Sequence, residues 1–85
     1  MKVGIPEPLR GYTRSPEVEA QGDSVDALLR DLDRRYPGIR FRMVDEADRL
    51  RRHVRVFVNR ERIRTLDANL DPADEVQILQ SLSGG

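Results

Sequence analysis

Cysteine and tryptophan are absent from this chain, and lysine and histidine occur once each, as Lys2 and His53. Without cysteine there is no disulfide framework, no thiolate metal site and no persulfide carried on a side chain. His53 has no second histidine or cysteine to join it, so no metal site is expected and a surface position at a strand edge is the simpler reading. No apolar run reaches the length of a signal peptide or a membrane span, which leaves cytoplasmic residence, with no membrane partner, as the expectation. The 15 basic and 15 acidic residues cancel. No overall field then draws the chain to nucleic acid, and binding is expected to be local.

Scarcity also shapes the core. Aromatics make up 5% of the 85 residues, so a single domain of this size is packed mainly by Val, Ile and Leu, with little room for a large buried ligand pocket. Asp45, Glu46 and Asp48 gather carboxylates. Acid–base work by such a pair needs a cleft that so small a domain hardly offers, and a solvated loop is the expectation there.

What is present is periodicity. Lys2-Val3-Gly4-Ile5 alternates as a strand does, and Pro6 and Pro8 end it. After the loop "LRGYTRSP", residues 17–20 alternate again with Val18 and Ala20 inward, and the two strands are expected to pair antiparallel. Asp23 and Ser24 offer N-caps before Val25, Leu28, Leu29, Leu32 and Tyr36, which fall on one helical face. Asp26–Arg30 and Asp31–Arg35 are i,i+4 pairs in the favourable order, and Tyr36-Pro37-Gly38 stops the helix.

Residues 39–52 read as irregular, since Ile39, Phe41, Met43 and Val44 suit a short strand or a turn of helix equally well. "HVRVFVN" is the clearest strand, with Val54, Val56 and Val58 on the core face and His53, Arg55, Phe57 and Asn59 opposite. A tight turn at Asn59-Arg60-Glu61 leads into an edge strand with Ile63 inward and Arg60, Arg62 and Arg64 outside. "DANLDPADE" reads as a polar loop, after which Val76, Ile78 and Leu79 belong to a last strand running out into Leu82.

A helix that covers one face of a mixed sheet, entered from one strand pair and left toward further strands, gives a two-layer α+β sandwich. The expected plan is the ubiquitin-like β-grasp, with about five strands packed on one main helix. The domain is assigned to residues 1–81 and a flexible C-terminal tail to residues 82–85, ending in Gly84-Gly85. Glycine adds nothing to packing and loses the most backbone freedom on ordering, so a terminal pair is either debris or the seat of a working carboxylate. Behind a complete β-grasp pattern, the working carboxylate is favoured.

"MKVGIPEPLR", "ALLRDLDRRYPGIR", "HVRVFVN" and "DEVQILQSLSGG" together resemble the ThiS/MoaD family of ubiquitin-like sulfur carriers over nearly the whole chain. The most specific parts are Val58-Asn59, Asp74-Glu75-Val76 and Gly84-Gly85. By length the chain is nearer to the molybdopterin-synthase small subunit and the cysteine-synthesis carriers than to the shorter thiamine carriers. The resemblance implies that a ubiquitin-activating-type adenylyltransferase and sulfurtransferase adenylates the Gly85 carboxylate with ATP, after which sulfur displaces AMP to leave a thiocarboxylate. Gly84 lets the tail enter a channel too narrow for a Cβ.

On this reading the chain is a protein co-substrate and not an enzyme. It binds no cofactor itself, since ATP and the sulfur donor belong to the activating partner. The other expected partners are a sulfur-accepting biosynthetic enzyme, for cysteine, molybdopterin or another sulfur-containing metabolite, and a peptidase that restores Gly-Gly. Phe57, Leu79, Leu82 and Ser83 are assigned to a partner-binding patch, with burial of Phe57 under residues 39–50 as the alternative. A ubiquitin-like modifier conjugated to target lysines and a subunit of molybdopterin synthase remain the rival functions.

Overall fold

The computed structural model describes residues 1–81. Five strands form one mixed sheet: β1 (Lys2–Gly4), β2 (Glu17–Glu19), β3 (Val54–Val58), β4 (Glu61–Ile63) and β5 (Val76–Gln80). Their order across the sheet is β2-β1-β5-β3-β4. Central β1 and β5 run parallel, and every other pairing is antiparallel. Three helices accompany them: α1 (Arg10–Thr13), α2 (Val25–Arg35) and α3 (Ile39–Met43).

The main helix, α2, is legible because three local signals agree. Ser24 caps it, its hydroxyl accepting a hydrogen bond from the Ala27 amide at 3.1 Å. Val25, Leu28, Leu29 and Leu32 lie on one face and are completely buried. Burial of this kind contributes about 1.5 to 3 kcal/mol per large aliphatic side chain. The Asp26–Arg30 and Asp31–Arg35 pairs both form, and the helix ends at Tyr36, with Gly38 at φ 98° beyond it. Against α2 the sheet presents Val3, Val18, Val54, Val56, Val76 and Ile78, which close the β-grasp core.

Three stretches depart from the sequence reading. "LRGYTRSP" is not a plain loop, because a 3-10 turn (Glu7–Leu9) passes into α1. Leu9 and Thr13 are buried there while Tyr12 packs on the core, a helical spacing too short to stand out around Gly11.

Residues 39–43 resolve as helix because Ile39 and Met43, one turn apart, are both fully buried. The Asp33 carboxylate on α2 accepts from the Gly38 and Arg40 amides, each at 3.1 Å, and so satisfies the start of α3 from outside. Beyond α3, Asp45 accepts from the Ala47 and Arg49 amides, so the acidic stretch is a hydrogen-bonded turn between Val44 and Leu50.

The polar loop before β5 is only half solvated. Leu70 is buried, Leu66 and Ala68 pack on the core, and the Ala68 and Leu66 carbonyls accept from the Val25 and Asp26 amides at 3.0 and 2.8 Å. Backbone from this loop therefore satisfies two of the free amides that open α2.

Candidate functional site

Alternation along the strands divides the sheet between core and solvent. With the valines of β3 facing α2, Arg55 and Phe57 point outward, and β5 sends Gln77 and Leu79 to the same side. Register places Arg55 opposite Leu79, Phe57 opposite Gln77, and Arg62 of β4 opposite Phe57 on its other flank. Leu79 is 44% exposed and Phe57 half-buried, and Phe57 stands outside the core cluster. Burial of Phe57 beneath residues 39–50 is ruled out, because Ile39, Met43 and Val44 pack into the core on the opposite side of the sheet.

Phe57 and Leu79 border a groove of about 380 Å³ whose other walls include Lys2, Gly4, Glu75 and Arg60. Gly4 puts no side chain in the way of the Gln77 side chain, whose end lies against it across β1.

One end of the groove is closed by a hydrogen-bonded lattice. Asn59 and Arg60 form a two-residue turn with φ 50° and 71°, both left-handed, joining β3 to β4. The Asn59 side-chain amide donates to Asp74 at 2.8 Å, its carbonyl oxygen accepts from the Glu75 amide at 3.0 Å, and its backbone amide donates to the Glu75 carbonyl at 2.9 Å. Asp74 also accepts from the Asp71 amide. That backbone bond first, then the one from Asn59, holds the Asp74 carboxyl below its ordinary pKa. Neither Asn59 nor Asp74 was singled out as a site residue from the sequence. The only signal was that both sit in the two internal segments most specific to the resemblance.

At the other end, β5 runs antiparallel to β3, pairing Gln80 with Val54, and the Ser81 amide donates to the His53 carbonyl at 2.9 Å. The chain is thus registered against β3 up to its last described residue. Leu79 and Arg55 are the outer-face pair next to this point. Of the expected site residues, Phe57 and Leu79 come together on one face, whereas Leu82, Ser83, Gly84 and Gly85 lie outside the described residues. Among the described residues no group of three or more His, Cys, Asp or Glu side chains is placed to hold a metal ion, and no helix is long and apolar enough to cross a membrane.

A sequence model of the ThiS family matches residues 3–85, all of the sheet but Lys2 together with the closing Gly-Gly. The chain belongs to the ThiS family. Sulfur carrier protein CysO of Mycobacterium tuberculosis (strain ATCC 25618 / H37Rv) is 36% identical over 89 aligned positions, which cover 98% of this chain and 96% of the relative.

Among solved structures, the Amycolatopsis orientalis BexX/CysO complex contains a chain that superposes with a TM-score of 0.91. It is 36% identical, and the match covers 99% of this chain and 98% of that one. Small archaeal modifier protein 1 (SAMP1) from Methanosarcina acetivorans superposes with a TM-score of 0.83 at 28% identity, covering 99% of this chain and 94% of the other. For this ThiS-family chain, then, the β-grasp plan and the family resemblance read from the sequence both hold.

Proposed function

We propose that this ThiS-family chain is a sulfur carrier whose Gly85 carboxylate is adenylated and then converted to a thiocarboxylate. The observation that carries this is the near full-length likeness to the sulfur carrier CysO, within a family match that runs through Gly85. Among the acceptors that the resemblance implied, the same likeness favours cysteine synthesis.

The chemistry fits an unprotected tail. A carboxylate is a poor acyl donor, and transfer of AMP from ATP, with loss of pyrophosphate, gives it a leaving group. Attack by a sulfur nucleophile at the acyl carbon expels AMP. Glycine at positions 84 and 85 leaves that carbon unshielded and the backbone narrow enough for a partner's channel. On this reading Phe57 and Leu79, with Leu82 and Ser83 of the tail, make the docking patch, and the domain is a co-substrate. An adenylating sulfurtransferase, a sulfur-accepting enzyme and a peptidase that restores Gly-Gly act upon it. ATP and the sulfur donor bind to those partners.

A second reading is a modifier joined to target lysines, favoured by the likeness to small archaeal modifier protein 1. Following the thiocarboxylated chain in a lysate separates the two. A carrier gives up its sulfur and returns with an ordinary carboxylate at Gly85, passing at most through transient small-molecule adducts. Abundant stable lysine conjugates bearing Gly84-Gly85, with no sulfur reaching a metabolite, would decide for the modifier.

A further inference from the structure

The outer face of the sheet changes charge sign from one edge to the other. On β2, Glu17 stands opposite Gly4 and Glu19 opposite Lys2, and all three charged side chains are exposed. Gln77, Leu79 and Phe57 occupy the middle, and Arg55 and Arg62 follow toward the β4 edge, with Arg64 just beyond. None of these three arginines makes an ion pair among the described residues, a state they share with Arg10, Arg14, Arg42, Arg49, Arg51, Arg52 and Arg60 but not with Arg30, Arg34, Arg35 and Arg40. What sets the three apart is that they gather on one face. They are also close enough to feel one another: partial desolvation first, then Arg64 and Arg55, push the Arg62 pKa down.

Like charges collected without counter-charge are unfavourable in the free domain and are relieved when a partner supplies carboxylates. Arg60 points the same way. It lines the groove from a position at φ 71°, where glycine would be unstrained, and adds a further guanidinium at that corner.

We infer that Arg55, Arg62 and Arg64 form an electrostatic docking strip for an acidic patch on the protein that activates the tail, with Phe57 and Leu79 as its apolar centre. This rests on the sulfur-carrier reading, which requires that protein to reach Gly85, five residues along the chain from the end of β5, the strand that carries Leu79. A nucleic acid fits less well, because Glu75 in the groove and Glu17 and Glu19 beyond it would repel a polyanion crossing the face. A protein can confine its carboxylates to the β4 side and leave the β2 side to basic groups, which sets the orientation of docking.

The test uses the full chain and the ubiquitin-activating-type adenylyltransferase of the same organism, measuring association kinetics from low to high salt. Adenylate formation is assayed separately. Arg55→Glu/Arg62→Glu is expected to slow association about tenfold or more at low salt and to flatten its salt dependence, with dissociation changed less and the thermal midpoint kept. The neutral pair Arg55→Gln/Arg62→Gln should fall between it and the parent chain, and it serves as the folded test should the charge-reversed pair not fold.

Equal association rates and equal salt slopes for parent and variants overturn the strip. So does an absence of binding by the parent chain, tighter retention of a fluorescein-labelled single-stranded oligonucleotide than of the enzyme, or self-association of the parent that the variant loses. A parent chain that binds with the expected salt dependence and yet yields no adenylate overturns the sulfur-carrier reading alone.

Discussion

The Asn59 side chain binds Asp74 across 15 residues of sequence, at 2.8 Å, and ties the β3–β4 turn to the entry of β5. With the return bond from the Glu75 amide, it holds the end of the groove remote from Ser81. Asn59→Gly keeps the left-handed backbone accessible and removes only these side-chain bonds, so it is expected to lower stability by about 1 kcal/mol. Asp74→Ala should cost less in the same background than alone, because only its bond from the Asp71 amide is then left to lose. Additive losses in a denaturant double-mutant cycle would show that the two residues act separately.

Arg60 follows Asn59 at φ 71°, in the second position of a turn that prefers Asn-Gly. Arg60→Gly is therefore expected to raise stability by about 0.5 to 1 kcal/mol in urea unfolding. A destabilised variant would mean that the Arg60 side chain contributes to the fold more than its backbone strain removes.

Leu29 and Phe57 should separate folding from docking. Leu29 is completely buried among Leu28, Val56 and Ile78, all equally inaccessible, so Leu29→Ala is expected to cost about 2 to 5 kcal/mol. Phe57→Ala, on the open face, should leave the unfolding curve nearly in place and weaken the complex with the adenylating partner. If Phe57→Ala unfolds the domain while the complex of the surviving fraction is unchanged, the residue belongs to the core.

Asp31 links the β2–α2 connection to the helix. Its carboxyl is held down to about 2 from an ordinary 3.8, first by the Gln21 amide, against the opposing effect of desolvation, and then by Arg35 and Arg34. Because the folded pKa lies below the unfolded one, this stabilisation is complete above about pH 4 and is lost as pH falls toward 2. Asp31→Asn should lower stability at neutral pH and weaken its dependence on acid over that window, as read from thermal midpoints. An acid limb identical to that of the parent would remove Asp31 from the account of acid unfolding.

Where the sequence repeated a physical signal, the structure follows it. Cap, apolar face and ion pairs all marked α2, and strict alternation put Phe57 outside and Val56 inside β3. The five residues of α3 carry only one i,i+4 apolar pair, Ile39 and Met43, which a strand or a turn of helix could equally explain. Residues 67–75 read as polar loop because the ordering of their first half comes from backbone bonds with the start of α2, and backbone bonds leave no mark on composition. The pairing of Asn59 with Asp74 depends on how β3 and β5 are registered, which no local pattern encodes. That Phe57 lies on the face opposite the β3 valines was legible from alternation, and the structure brings Leu79 to the same face. Arg55, Arg62 and Arg64 read from the sequence as outward-facing on two strands, and the register of β3 against β4 and β5 then set Arg55 and Arg62 beside Phe57 and Leu79.

The central claim is tested most directly by intact-mass spectrometry of the full chain after incubation with ATP, a sulfide source and the adenylyltransferase. The expected result is ATP-dependent replacement of one oxygen by sulfur, mapped by fragmentation to Gly85, and lost when a single residue is appended after Gly85 although the thermal unfolding curve stays in place. Sulfur on any internal residue, or equal exchange in the extended chain with no peptidase present to trim it, would contradict a terminal thiocarboxylate.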